Sequence, residues 1–209
     1  MLGRSVAVVE VVETIKTVAT KIRFRIDFSD GSVGAYCLKG LLDVDEMTAR
    51  GGPTMVKEAD FYGQVAALVD VRVPVCVAPV IDRGTRQAVV LMRDLITDGA
   101  RFCSALEPFT VDEAAASLGQ IARLHAGRGL LERMPWIDRR IASLAEAKYV
   151  TLEQLQDMLD GPRGETLLPE TRNAESLITA MRSLSERDAK RPQYLVHGDA
   201  HAANIFRTD

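Results

Sequence analysis

The sequence predicts an α+β protein whose first part is β-rich with one helix and whose second part is mainly helical. Three observations predict it. Ile22, Phe24, Ile26 and Phe28 alternate with polar neighbours at the period of a half-buried strand. Asp30-Gly31 follows at once, a hairpin pair, with Val33 to Lys39 as the returning strand. Far downstream, Thr110 and Glu113 form the spacing of a capping box ahead of a long helical stretch.

Each element follows in order. Val6 to Val12 is rich in β-branched residues and reads as a first strand. On the strand from Val33, the residues Val33, Ala35, Cys37 and Lys39 share one face, so a lysine closes an otherwise apolar row. Gly51, Gly52 and Pro53 break the chain before a helix over about Thr54 to Leu68, with an expected inner stripe of Phe61, Val65 and Leu68. Glu58 lies one turn before Phe61 and Tyr62 on the same side. After Val73-Pro74 the chain is extended to about Val80, and Gln87 to Met92 reads as another strand.

From about Arg93 the periodicity becomes helical. The capped helix runs to about Ala126, with Ala114, Leu118, Ile121 and His125 on one inner line. Further helices are expected over Ile137 to Lys148, Thr151 to Leu159 and Glu170 to Leu184, punctuated by Gly161, Pro162 and Gly164. Tyr194 to Val196 reads as a short strand. The expected division is 1–92, a linker over 93–98, and 99–209.

Composition narrows the function classes. A net charge of -3 over 209 residues gives no electrostatic reason to expect nucleic acid. Lys21, Arg23 and Arg25 alternate with apolar residues and read as the solvated face of a strand. Cys37, Cys76 and Cys103 lie far apart with no C-x-x-C spacing, which suggests reduced thiols. Glu10 and Glu13 interrupt the N-terminal apolar run, and no stretch reaches the ~20 residues of a membrane span. The expectation is a cytoplasmic protein with no membrane partner.

The chemistry concentrates in "LVHGDAHAANIF", Leu195 to Phe206. His197, Asp199 and Asn204 have the H-x-D-x-x-x-x-N spacing of a kinase catalytic loop, although a surface turn of small residues could share it. An aspartate must accept or orient the proton of the acceptor hydroxyl, and an asparagine oxygen a loop-length away can hold Mg²⁺. Gly198 would allow a tight bend where a Cβ would be in the way. Upstream, a strand lysine (Lys39) and a helix glutamate (Glu58) could explain one another, because a phosphate-gripping lysine needs a carboxylate to hold it.

Taken in order, these segments resemble the aminoglycoside phosphotransferase and choline kinase superfamily, small-molecule kinases with a two-lobed protein-kinase-like fold. "VHGDAHAANIF" resembles that family's H-G-D-x-H-x-x-N loop, "AYCLKG" its lysine strand and "KEADFYGQV" its glutamate helix. "VVLMRDL" resembles its hinge strand and "LGQIARLHA" the helix before the loop. The resemblance implies transfer of the ATP γ-phosphoryl group to a hydroxyl of a small molecule. Lys39 would bind the nucleotide phosphates and Glu58 would orient it. Asp199 would be the catalytic base and Asn204 a Mg²⁺ ligand. Backbone groups of Met92, Arg93 and Asp94 would meet the adenine, and His197 and His201 would organise the loop. His125 would be a packed helix histidine, and Trp136 either lines an acceptor pocket or packs.

Two departures accompany the resemblance. The segment that should cover the phosphates, Glu13 to Lys21, contains no glycine. The second Mg²⁺-binding aspartate of the family is expected beyond Asp209, which would make this a truncated kinase. Two other readings stay open: a non-catalytic nucleotide-binding or degenerate kinase fragment, and a metal-dependent hydrolase using His197, Asp199 and His201.

Overall fold

A computed structural model describes residues 3–42, 52–146 and 150–208, with the backbone alone for 52 and 53. Gly51, Lys148 and Asp209, which entered the expectations above, lie outside the described residues. The protein is α+β and divides into two compact units: 1–127 with 199–209, and 128–198.

The first unit is built on a five-stranded antiparallel sheet. Its strands are β1 (Val6–Ile15), β2 (Thr20–Phe28), β3 (Val33–Gly40), β4 (Cys76–Asp82) and β5 (Gln87–Arg93), in the order β1-β2-β3-β5-β4. The predicted hairpin joins β2 to β3. Gly31 occupies its left-handed position at φ +81° and donates its N–H to the Phe28 carbonyl at 3.0 Å.

Alternation decides what each face of the sheet does. One face carries Phe24, Ile26, Phe28, Tyr36, Leu38 and Leu91, which pack as one apolar cluster. This is the face predicted from the β2 periodicity. The other face carries Ala88, Val90 and Met92 of β5 beneath helix α1 (Gly52–Asp60), with Met55, Ala59 and Leu41 completing a second cluster.

Lys39 pairs with Val90 and Cys37 with Met92 in the β3–β5 register, so Lys39 lies on the helix side. Its row is not apolar beyond β3. Across the β2–β3 register Lys39 faces Lys21, Cys37 faces Arg23 and Ala35 faces Arg25. The buried row of β3 is instead Gly34, Tyr36 and Gly40. A Cβ on Gly34 would lie 2.6 Å from the Tyr36 ring, and one on Gly40 would lie 2.7 Å from Val89 Cγ1. Both glycines are therefore packing positions.

Helix α1 continues into a π-helical turn (Phe61–Val65) and a 3₁₀ turn (Ala66–Leu68). The π turn shifts the inward stripe, because each of its hydrogen bonds spans an extra residue. Met55, Ala59 and Val65 are buried, and the expected stripe member Leu68 is 52% exposed. Asp60 was not anticipated. It is buried, accepts hydrogen bonds from Arg83 at 2.7 and 3.3 Å and from Gln64 at 2.6 Å, and so ties the β4–β5 turn to the helix.

Beyond β5, residues 94–99 form consecutive turns closed by the Asp98, Gly99 and Ala100 amides. Helix α2 (Val111–Ala126) opens with the predicted capping box, the Thr110 side chain accepting from Glu113 N and the Glu113 carboxylate from Thr110 N. Of the expected inner line, Leu118 is 65% exposed, while Leu124 is the buried residue of this helix. The strands β6 (Arg101–Phe102) and β7 (Phe206–Arg207) pair antiparallel, joining residues a hundred positions apart. No such strand was expected. Tyr194 to Val196, expected to be a strand, has no regular structure.

The second unit contains α3 (Arg140–Ala145), α4 (Leu152–Asp160) and α5 (Ala174–Asp188), with α3 and α4 both packed on α5. A second capping box, Thr151 with Gln154, opens α4, and Gln156 accepts from the Ala174 N–H at 2.9 Å. Among the described residues no helix is long and apolar enough to cross a membrane.

Candidate functional site

Two clusters in the first unit contain most of the sequence-predicted residues: Lys39 and Glu58 in one, Asp199, His201 and Asn204 in the other. In the first, β3 delivers Lys39 and α1 delivers Glu58. Lys39 Nζ donates to Glu58 Oε1 at 2.9 Å and lies 2.8 Å from Oε2, so the carboxylate is gripped by both oxygens. Each side chain is 24% exposed. The strand period and the helix period place the two groups so, 19 residues apart in sequence. Tyr62, one turn after Glu58, has its phenol pushed up by burial and then by the Glu58 charge, and stays neutral.

Lys39 belongs to a longer row of charge on the same face. Arg23 of β2 spans two partners: Asp94 just after β5, at 3.0 to 3.3 Å, and Glu13 of β1 at 2.7 Å. Thr97 Oγ1 also donates to Asp94, at 2.6 Å. Burial raises the Asp94 carboxyl, but the Arg23 and Thr97 hydrogen bonds and the guanidinium charge outweigh it, holding the group below the ordinary carboxylate range. Arg25 pairs with Glu10 at 3.1 Å and Asp27 at 3.4 Å. In the row expected to be a solvated strand face, Arg23 and Arg25 are ion-paired, and Arg23 is only 14% exposed.

Met92, Arg93 and Asp94, expected beside an adenine, are all engaged in the sheet. The Arg93 N–H donates to Val75 O at 2.9 Å and the Asp94 N–H to Ala35 O at 3.1 Å, while Met92 lies between Cys37 and Cys76. Neither of those two amides is available to a base.

The second cluster is the loop after Gly198. Asn204 Nδ2 donates to the Asp199 carbonyl and to Asp199 Oδ2, both at 3.0 Å, and lies 3.1 Å from His201 Nε2. The loop thus folds on itself around the asparagine amide, and the Asp199 side chain is left 74% exposed. Gly198 has φ +79° with nothing within 4 Å of an added Cβ, so this glycine answers a backbone requirement and not the crowding expected of it. A 3₁₀ turn (Ala202–Asn204) leads into β7, which anchors the loop. Arg207 forms an ion pair with Glu113 at the start of α2 and stacks over Phe109 at 4.8 Å, while Phe102 and Phe206 meet at 6.3 Å. That anchor was invisible to local sequence patterns, because each strand is two residues long.

Asn204 spends its amide hydrogens on Asp199, which leaves Oδ1 as the oxygen able to face a cation. A hard oxygen of this kind is suited to Mg²⁺, which keeps several waters and takes other ligands from phosphates. His197 is exposed, and His201 Nε2 lies 3.7 Å from Asp199 Oδ2. Among the described residues no three His, Cys, Asp or Glu side chains are grouped to hold a metal ion, so the H-x-D-x-H triplet is not an assembled ligand set.

Compared with protein-family models, curated proteins and solved structures, the chain finds no match in any of the three.

Proposed function

We propose that this chain is an ATP-dependent phosphotransferase of the aminoglycoside phosphotransferase-like kind, with a two-lobed protein-kinase-like fold, acting on a hydroxyl of a small molecule. One observation supports it above the rest. The Lys39–Glu58 pair was expected from a strand lysine and a helix glutamate, and the two groups meet at 2.8 Å at the edge of a packed core. A largely covered lysine held by a carboxylate keeps its position, which is what gripping a polyphosphate requires.

The chain's own residues supply the remaining roles. Lys39 neutralises charge on the α- and β-phosphates, and Glu58 fixes its direction. Asp199, exposed and held by Asn204, orients the acceptor hydroxyl and takes its proton as the oxygen attacks the γ-phosphorus, the bond from that phosphorus to the bridging oxygen breaks and ADP leaves. Asn204 Oδ1 would hold Mg²⁺, which when bound would draw charge from the phosphate oxygens. An adenine is met by groups other than the Arg93 and Asp94 amides.

The test is a melting-temperature titration with MgATP, beside Lys39→Ala and an EDTA control. The reading expects a Mg²⁺-dependent rise that Lys39→Ala removes, since a ligand bound only by the folded state stabilises it. It further expects Asp199→Asn to bind MgATP while losing transfer to any accepted alcohol. No rise in the unmodified chain would sink the proposal.

A further inference from the structure

The row of cations on the helix side of the sheet has one member unlike the rest. Arg23 is neutralised by Asp94 and Glu13, Arg25 by Glu10 and Asp27, and Lys39 by Glu58. Lys21 has no carboxylate partner among the described residues. Its Nζ donates to Thr17 Oγ1 at 3.1 Å, and that hydroxyl in turn donates to the Ala19 carbonyl at 2.7 Å. Lys21 is nevertheless half-buried and stands directly opposite Lys39 in an unbroken β2–β3 register.

Directly opposed residues of an antiparallel pair project to the same side with Cβ atoms about 4.5–5.5 Å apart, and like charges there repel. Among the described residues, Glu58 is the carboxylate that acts on both lysines. Burial lowers the Lys21 pKa and the Lys39 charge lowers it further, while Cys37, which burial keeps protonated, adds no charge. The repulsion between the two ammonium groups would be offset by an anion held beside both.

The position of Lys21 gives that anion an identity. Lys21 is the second residue of β2, just after the turn over 16–19 and at the end of the glycine-free segment Glu13 to Lys21 that would cover a nucleotide's phosphates. Without glycine the backbone cannot close tightly around phosphate oxygens. We propose that Lys21 and Lys39 form a two-lysine clamp for a polyphosphate, Lys21 replacing the backbone grip that this turn cannot provide. The inference rests on the phosphotransferase reading for the nucleotide, but not for the clamp itself.

Calorimetric titration of the full chain separates the two. The probes are MgATP, sodium tripolyphosphate and adenosine, applied to the unmodified protein, Lys21→Met, Lys21→Arg and Lys39→Met. The clamp predicts that Lys21→Met weakens MgATP and tripolyphosphate by about 10-fold or more, the scale of one lost charge-assisted hydrogen bond. Adenosine binding should not change, and Lys21→Arg should recover most of the loss. Lys21→Met should also melt no lower than the parent, because it removes a like-charge contact, so weakened binding would not reflect unfolding. Unchanged affinity for both phosphates in Lys21→Met overturns the clamp, even if Lys39→Met still weakens MgATP and the kinase reading survives. Tripolyphosphate held through both lysines, with no adenosine binding and no phosphoryl transfer, keeps the clamp and overturns the kinase reading. An unmodified chain that binds neither phosphate overturns the clamp outright.

Discussion

Removing the carboxylate from the Lys39–Glu58 pair gives the sharpest test of how that site is built. Glu58→Gln keeps size and one acceptor oxygen but deletes the charge. Exposed pairs contribute about 0–1 kcal/mol, whereas breaking a fully buried one costs about 3–5 kcal/mol. Both side chains are 24% exposed, and the contact is 2.8 Å. The expected loss is therefore about 2 kcal/mol, between those limits. It should exceed the loss from Lys39→Met, because Glu58→Gln leaves Lys39 facing Lys21 with no carboxylate between them, whereas Lys39→Met relieves that repulsion. A double-mutant cycle read by urea unfolding should give a coupling of about 1 kcal/mol, larger than at an exposed pair. A coupling under about 0.3 kcal/mol, or Lys39→Met costing more than Glu58→Gln, would refute the claim that the pair and its lysine neighbour act as one electrostatic unit.

Other expectations follow from glycine geometry and from acid. A Cβ at Gly164 would fall 1.8 Å from the Leu159 carbonyl oxygen, so Gly164→Ala must displace the end of α4 and should cost about 3 kcal/mol. A urea midpoint equal to the parent's would show that this turn relaxes freely. At Gly198 an added Cβ meets nothing, so Gly198→Ala should cost only the left-handed backbone penalty of about 1–2 kcal/mol. A larger loss would mean crowding is present after all. Asp94 has a folded pKa below its ordinary value, so its ion pair stabilises fully above the unfolded value of about 3.9 and is lost as pH falls through the lowered one. Asp94→Asn should flatten the acid limb of the stability profile below about pH 4 relative to the parent; parallel limbs would assign that limb to other carboxylates.

Where the sequence was legible, a single local period carried the information. The β2 alternation and the Asp30-Gly31 turn identified one hairpin, and two capping boxes open their helices, one of them anticipated. Lys39 and Glu58 were found because strand and helix periods each put a charge beside apolar neighbours. Val33, Ala35, Cys37 and Lys39 share a face as expected, but that row is at most half-buried, while the fully buried residues of β3 are Gly34, Tyr36 and Gly40. Glycines pressed against a ring and a neighbouring strand carry no hydrophobic signal, so a pattern of apolar residues points the wrong way. Leu68 was misplaced because a π turn cannot be seen in a period-3.6 stripe. The Arg23–Asp94 and Asp60–Arg83 pairs join residues 71 and 23 positions apart; sheet register brings the first together and the packing of α1 on the sheet the second.

The arrangement of charge on the sheet also explains why the candidate site lies where it does. On the helix-facing side, β5 contributes Val90 and Met92, closed under α1, while β2 contributes Lys21, Arg23 and Arg25. Lys39 of β3 is the residue between them, beside Val90 on one hand and Lys21 on the other. Deep in the apolar cluster an ammonium group would be too costly to keep charged. On open surface it would be screened by water and salt. At the border it is covered by the apolar cluster on one side and open on the other, and Glu58 holds its direction. A second lysine placed at the same border without a carboxylate of its own changes what that border is suited to do. It turns a structural ion pair into a place where an added anion lowers the energy of groups already present, and Lys21 is that second lysine.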